Sequence, residues 1–155
     1  SGSRKSGFAK VDLSELLSFA ADTFQPVAED AGHRLSFSIE PNISMTGDRE
    51  LLLQMTTNLI ENAIRHTPNG STVDLTLKRD GTDIVLACAD NGPGIPANER
   101  KKVLQRFYRL ETSRTTPGSG LGLALVSAVA ELHGARMTLS DRNPGLHVEI
   151  RFPFH

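Results

Sequence analysis

The sequence predicts an α+β domain, a two-layer α/β sandwich built on a mainly antiparallel sheet. Two observations carry this. Long segments with apolar residues at helical spacing alternate with short segments of period two. The strand-like segments also pair around turn signals, at Asp80-Gly81 and at Asn143-Pro144-Gly145, as hairpins do. A length of 155 residues suits one domain with a proper core.

Each element can be justified in chain order. Residues 1–10 open on SGSRKSG, which is small, polar and glycine-rich, and read as a linker or expression remnant; residues 11–155 read as the domain. Val11 to about Ala31 reads as a helix, with Leu13, Leu16, Leu17, Ala20 and Phe24 at helical spacing and either Asp12 or Ser14 placed to cap it. HRLSFSIE alternates through Leu35, Phe37 and Ile39 as a strand, and Pro41 to Gly47 reads as a loop. Asp48 to His66 is the longest helix, stopped by Thr67-Pro68-Asn69-Gly70. TVDLTLKRD and TDIVLACAD form a hairpin. A glycine-rich loop follows, then a helix near Ala97 to Tyr108 and the polar stretch RLETSRTTPGSG. Leu121 to His133 is a strongly apolar helix, and ARMTLSD with LHVEIRFPF closes the chain as a second hairpin.

Composition narrows the function classes. A formal net charge of -1 leaves no broad basic footprint, so nucleic acid is not the expected partner. No apolar run approaches the length of a membrane span, and the opening residues do not read as a signal peptide. The single cysteine, Cys88, excludes an intrachain disulfide and suggests a reducing compartment. Its setting, DIVLACAD, makes it a small buried hydrophobe.

Chemistry concentrates in three places. On the helix from Asp48 to His66, Leu52, Leu53, Thr56, Leu59, Ile60, Ala63 and Ile64 share one arc, while Gln54, Asn58, Glu61, Asn62 and Arg65 share the opposite one. That polar arc is either a solvated face or a ligand stripe. Asn is a mediocre helix former, and two amides, a carboxylate and a guanidinium suit a hydrated hard cation carrying phosphates. DNGPGIP, from Asp90 to Pro96, puts a carboxylate at a strand end and glycines after it. It is either an Asx-turn or an acceptor for an exocyclic amine beside backbone that a flat ring can approach. GSGLGL, from Gly118 to Leu123, runs into a helix N-terminus, where free N–H groups attract phosphate. It lacks the Lys of a Walker loop and does not follow a strand as a dinucleotide fingerprint does.

In combination these segments resemble the catalytic ATP-binding domains of bacterial two-component sensor histidine kinases. NLIENAIRHTP (Asn58 to Pro68), DNGPGIP, RFYRLE (Arg106 to Glu111) and GSGLGLALV (Gly118 to Val126) stand in the order of that family's N, first glycine, phenylalanine and second glycine boxes. The resemblance implies a Bergerat-type fold, a mixed sheet backed by three main helices, with ATP and Mg²⁺ bound between a helix and a lid. It implies that Asp90 binds the adenine amine and that Gly92, Gly94 and Ile95 shape the base pocket. Asn62 would be the principal Mg²⁺ ligand and Asn58 its helper. Glu61 would polarise the attacking imidazole, Arg65 would contact phosphate, and His66 would lie near the sugar or base. Gly118, Ser119, Gly120, Leu121, Gly122 and Leu123 would cradle phosphates and hinge the lid, about Leu110 to Gly118, which is expected to be mobile without nucleotide. Phe107 and Tyr108 would anchor that lid, with Arg109 facing the γ-phosphate or the partner domain. Arg at 65 replaces a common Lys and His at 66 a common Tyr; neither change argues for a dead site.

None of His33, His66, His133, His147 and His155 has the acidic residue and nearby proline of a phosphoacceptor helix, and His133 reads as a helix-end cap beside Gly134. The resemblance therefore implies phosphoryl transfer to a separate dimerisation and phosphotransfer domain, a downstream response regulator receiver domain, a cytoplasmic location beneath a parent in the bacterial inner membrane, and a monomeric isolated domain. The ATPase domains of gyrase, the mismatch-repair protein and the heat-shock chaperone lack the RFYR box. The anti-sigma serine kinases are closer, but the Phe-Tyr box and ELHGA favour a histidine kinase. The alternative from another class is a non-catalytic module that binds nucleotide or a partner to regulate a kinase.

Overall fold

The computed structural model describes residues 7–103 and 122–153. A five-stranded mixed sheet has the order β2-β4-β5-β7-β6. Its strands are β2 (Arg34–Ile39), β4 (Thr72–Asp80), β5 (Asp83–Asp90), β6 (Arg136–Asp141) and β7 (Leu146–Phe152). β2 runs parallel to β4, and the other pairings are antiparallel. Both hairpins stand where the turn signals put them. Val73, Leu75 and Leu77 on β4 and Val148, Ile150 and Phe152 on β7 are buried at every second position, as a sheet with one covered face requires.

Among the described residues three long helices, α1 (Leu13–Asp30), α2 (Arg49–Arg65) and α4 (Gly122–Leu132), pack on that face, with α2 between the other two. α2 buries Leu52, Met55, Thr56, Leu59, Ile60, Ala63 and Ile64. It starts where the Asp48 carboxylate accepts the Leu51 N–H at 3.1 Å and ends where the His66 N–H donates to Asn62 O at 3.1 Å. Leu53, expected on the packing arc, is only half-buried, and Met55 takes its place in the core. The buried arc is thereby turned toward Met55 and away from Leu53.

The N-terminal region differs from expectation. Val11 and Asp12 belong to a strand, β1 (Ala9–Asp12), and the expected loop Pro41 to Gly47 contains β3 (Ser44–Gly47); the two pair antiparallel as a separate ribbon. Four-residue strands give no alternation to read. Asp12 is the cap: its carboxylate accepts the Glu15 N–H at 3.0 Å. Ser14 lies inside the helix, where its hydroxyl donates to Glu40 O at 2.7 Å and accepts the Ile43 N–H at 2.9 Å. Phe37 is 43% exposed although it alternates with Leu35, because β2 is an edge strand that α1 only partly covers. The helix expected near Ala97 to Tyr108 begins with a 3₁₀ turn at Ala97–Glu99 and continues as α3 (Arg100–Val103); its remainder lies outside the described residues. His133 closes α4 as expected, Nδ1 donating to Val129 O at 2.8 Å. Its Nε2 also accepts the Asp48 N–H at 3.1 Å, so one imidazole ties the end of α4 to the start of α2.

Candidate functional site

Asp90 ends β5 and is 7% exposed. Its Oδ1 accepts two backbone donors, the Gly92 N–H at 2.9 Å and the Leu146 N–H at 3.3 Å. The Asx-turn reading therefore holds for Oδ1, and it leaves the other oxygen open. Oδ1 is spent on the turn and on β7, while Oδ2 has no partner among the described residues.

Glycine is required on both sides of this carboxylate. A Cβ on Gly92 would stand 2.4 Å from the Thr67 methyl carbon. Gly145 has φ +116°, and a Cβ there would lie 1.9 Å from Asp90 O. The loop after β5 and the β6–β7 turn thus meet backbone to backbone, as only glycine permits.

Opposite stands the polar face of α2. The Asn62 Oδ1 is buried and is the one buried side-chain polar atom among the described residues with no hydrogen-bond partner. A Cβ on Gly122, the first residue of α4, would come within 3.0 Å of it. Native interiors leave few polar atoms unsatisfied, and this one stands at a cleft where a water, an ion or a ligand atom would satisfy it. The cleft, about 260 Å³, is lined by Asn62, His66, Asp90, Pro93, Gly94, Ile95, Leu123 and Leu146. That volume is small for a ligand cleft, and its mixture of one carboxylate, one amide and apolar walls suits a flat heterocycle.

The structure brings together most of the expected residues it describes. Asn62, His66, Asp90, Gly94, Ile95 and Leu123 share the cleft; Gly92 lies buried behind it and Gly122 abuts Asn62. Asn58 is half-buried one turn before Asn62 on the same stripe. Arg65 and Glu61 stand outside the cleft and pair with each other at 3.2 Å, at 34% and 39% side-chain exposure. Phe107, Tyr108, Arg109, Gly118, Ser119, Gly120 and Leu121, with the expected lid from 110 to 118, lie outside the described residues. Pro93, Gly145 and Leu146 were not expected at the site. The Asn-Pro-Gly signal predicts a turn at 143–145, but nothing local says that the turn lands on Asp90.

Cys88, two residues before Asp90, is buried as expected at 3% exposure. Burial, with smaller contributions from the charges of Asp90 and Asp74, pushes its thiol up to about 12.

The profile of the family "Histidine kinase-, DNA gyrase B-, and HSP90-like ATPase" matches residues 47–155. The chain belongs to this ATPase family. Sensor kinases are among its relatives within the family. It is 34% identical over 149 residues to the signal transduction histidine-protein kinase BaeS of Escherichia coli K12, a match covering 94% of this chain and 32% of BaeS. The chain thus spans about a third of that relative's length. The solved mycobacterial sensor histidine kinase MprB superposes with a TM-score of 0.80 at 30% identity, covering 94% of this chain and 97% of that one. Full-length ShkA, solved in complex with AMPPNP, superposes with a TM-score of 0.80 at 28% identity, covering 95% of this chain and 31% of that one. Membership in the family makes the chain a nucleotide-binding catalytic domain, and the α+β fold with its mixed sheet is the family's fold.

Proposed function

We propose that this domain binds MgATP in the cleft between α2 and the loop after β5, and transfers the γ-phosphoryl group to a histidine on a separate dimerisation and phosphotransfer domain. The observation that carries the reading is the buried, unpartnered Asn62 Oδ1 at the same cleft that Asp90 lines, with Asp90 spending only its Oδ1 on backbone donors. Asn62 Oδ1 is a neutral amide oxygen of the kind that ligates a hard cation. Asp90 Oδ2 is a carboxylate oxygen that accepts from the adenine amine. AMPPNP in the ShkA complex supports the nucleotide assignment.

Asn62 fits Mg²⁺, with Asn58 one turn away as its helper; when bound, the ion would neutralise phosphate charge. The residues of the chain do the rest. Asp90 fixes the base, Pro93, Gly94, Ile95, Leu123 and Leu146 enclose it, and His66 borders the cleft. The Arg65 guanidinium is to exchange Glu61 for phosphate oxygens. Glu61, released, is to accept the proton of the attacking imidazole. The imidazole nitrogen bonds to the γ-phosphorus as the bond to the β-phosphate oxygen breaks, leaving ADP and a phosphohistidine. Positions 118–123 are to hold phosphates, Phe107 and Tyr108 are to anchor the segment that covers them, and Arg109 is to face the γ-phosphate or the phosphotransfer domain. The acceptor histidine, the receiver domain downstream and a parent anchored in the inner membrane belong to the same reading. Among the described residues no helix is long and apolar enough to cross a membrane.

Calorimetric titration with AMPPNP tests the site. Mg²⁺ should strengthen binding to wild type, Asn62→Ala should lose that enhancement, and Asp90→Asn should weaken binding about 10- to 100-fold, as loss of a charged hydrogen bond does. γ-Labelled ATP with an added phosphotransfer domain tests the activity. Labelled acceptor supports the kinase; tight binding without transfer would instead make the domain a regulatory nucleotide module.

A further inference from the structure

We propose that His33, which lies outside every motif, is a positioning residue for the base pocket. It acts through Thr67 to set the loop that carries Asp90. The inference rests on the cleft between α2 and that loop being the nucleotide site.

The ring is placed by the end of α1. Gly32, at φ +74°, turns the chain, its N–H donating to Glu29 O at 3.0 Å, and the His33 N–H donates to Ala28 O at 2.8 Å. This is a helix end of the Schellman kind. It directs a side chain only 8% exposed toward the turn that follows α2. There Nε2 donates to the Thr67 hydroxyl at 2.7 Å and lies 3.2 Å from Thr67 O, while Nδ1 stands 2.9 Å from Ala31 O. The Thr67 hydroxyl also donates to Ala63 O at 2.7 Å. Held from both sides, it fixes χ1, and with χ1 the direction of the methyl group. A Thr bonded only to the preceding helical turn has two rotamers open to it.

The methyl group is what touches the site. It packs on the Gly92 backbone so closely that a Cβ there would lie 2.4 Å from it. Gly92 in turn donates to Asp90 Oδ1 at 2.9 Å. The sequence of contacts is His33 ring, Thr67 hydroxyl, Thr67 methyl, Gly92 backbone, Asp90 carboxylate. An apolar side chain would fill the space of the ring without burying two polar nitrogens; the imidazole adds direction. The Gly70 N–H to Gly32 O bond at 2.7 Å and the Arg34 N–H to Ser71 O bond at 3.0 Å tie the same two segments independently of the ring. Removal of the imidazole should therefore loosen the Asp90 loop and leave the fold in place.

The test compares His33→Leu, Thr67→Val and the double variant in the whole chain, each at a temperature where it is fully folded. Thr67→Val keeps a methyl group and loses the hydroxyl. The first readout needs no nucleotide: His33→Leu should speed exchange of the Gly92 amide by about tenfold or more, and Thr67→Val should do the same. The second is AMPPNP affinity by calorimetry, expected to fall about three- to tenfold in each variant, with the double variant no worse than either alone. His33→Gln, whose amide reaches the Thr67 hydroxyl, should restore most of both; if the Leu variant does not fold, Thr67→Val carries both readouts, and wild-type values in it would overturn the proposal. Wild-type Gly92 exchange and wild-type affinity in His33→Leu, or losses that multiply in the double variant, would overturn the proposal. If wild type itself fails to bind AMPPNP, the nucleotide reading falls, and the Gly92 exchange still decides whether His33 sets the loop.

Discussion

Gly145 forms the wall behind Asp90. Its φ of +116° and the 1.9 Å separation between a would-be Cβ and Asp90 O leave no room for alanine. Gly145→Ala should cost about 3 kcal/mol or more of stability, seen as a lower urea midpoint, and should weaken AMPPNP binding by displacing Asp90. Gly81→Ala is the control, with φ +62° and nothing within 4 Å of its Cβ, so it should cost only the left-handed penalty of about 1–2 kcal/mol. Cys88 gives a prediction in pH. Its thiol is pushed from 9.0 up to about 12 by burial. Between those values the unfolded chain has lost the proton and the native one keeps it, so stability falls as pH rises, at up to about 1.4 kcal/mol per pH unit, with no effect near neutrality. Urea midpoints compared from about pH 8 to about pH 10.5 should show a steeper decline in wild type than in Cys88→Ala; parallel declines would sink the claim. Asp90 and Asn62 were legible because residue type and local setting coincide, a carboxylate at a strand end and an amide on a helix stripe. Leu146 and the Thr67–His33 pair were not, since each reaches the site through a partner 56 or 34 residues away.

At the level of elements, the caps decide where helices begin. Asp48 accepts the Leu51 N–H through its carboxylate while its own N–H is held by His133. Asp12 makes one exposed cap bond, to Glu15. Asp48→Ala should therefore cost about 1–2 kcal/mol and Asp12→Ala about 0.5–1 kcal/mol, both within the range of lost N-caps, measured as shifts in urea midpoint at unchanged slope. Equal losses would mean that burial around the α2 start adds nothing to its cap. The elements most legible in sequence carry a full period. α2 shows four turns of two opposed arcs before its stop signal, and the Asp80-Gly81 turn separates the alternating β4 from the continuous apolar run of β5. β1 and β3 offered neither length nor a turn between them. Their pairing is long-range, joining Val11 to Met45 across the whole of α1 and β2.

For the whole molecule, the family profile begins at residue 47, yet the core does not. Leu13, Leu16, Leu17, Ala20 and Ala21 on α1 and Ile43 before β3 are all 0% exposed. β2 supplies the parallel neighbour of β4. Without residues 7–46, β4 becomes an open edge and α2 loses the helix on one flank. A buried leucine contributes roughly 1.5–3 kcal/mol, so the three leucines of α1 contribute about 4.5–9 kcal/mol, a large share of the roughly 5–15 kcal/mol of net stability a domain has. The site depends on the same segment, since His33 follows α1 and holds Thr67 beneath Gly92. A chain of residues 47–155 should consequently lack a cooperative urea transition, exchange its β4 amides rapidly, and fail to bind AMPPNP under conditions where the full chain does. A cooperative transition with the full chain's midpoint would show that the first two strands and α1 are an accessory to the nucleotide domain. Rapid exchange confined to β4, with AMPPNP binding intact, would place their contribution in the sheet edge and not in the cleft.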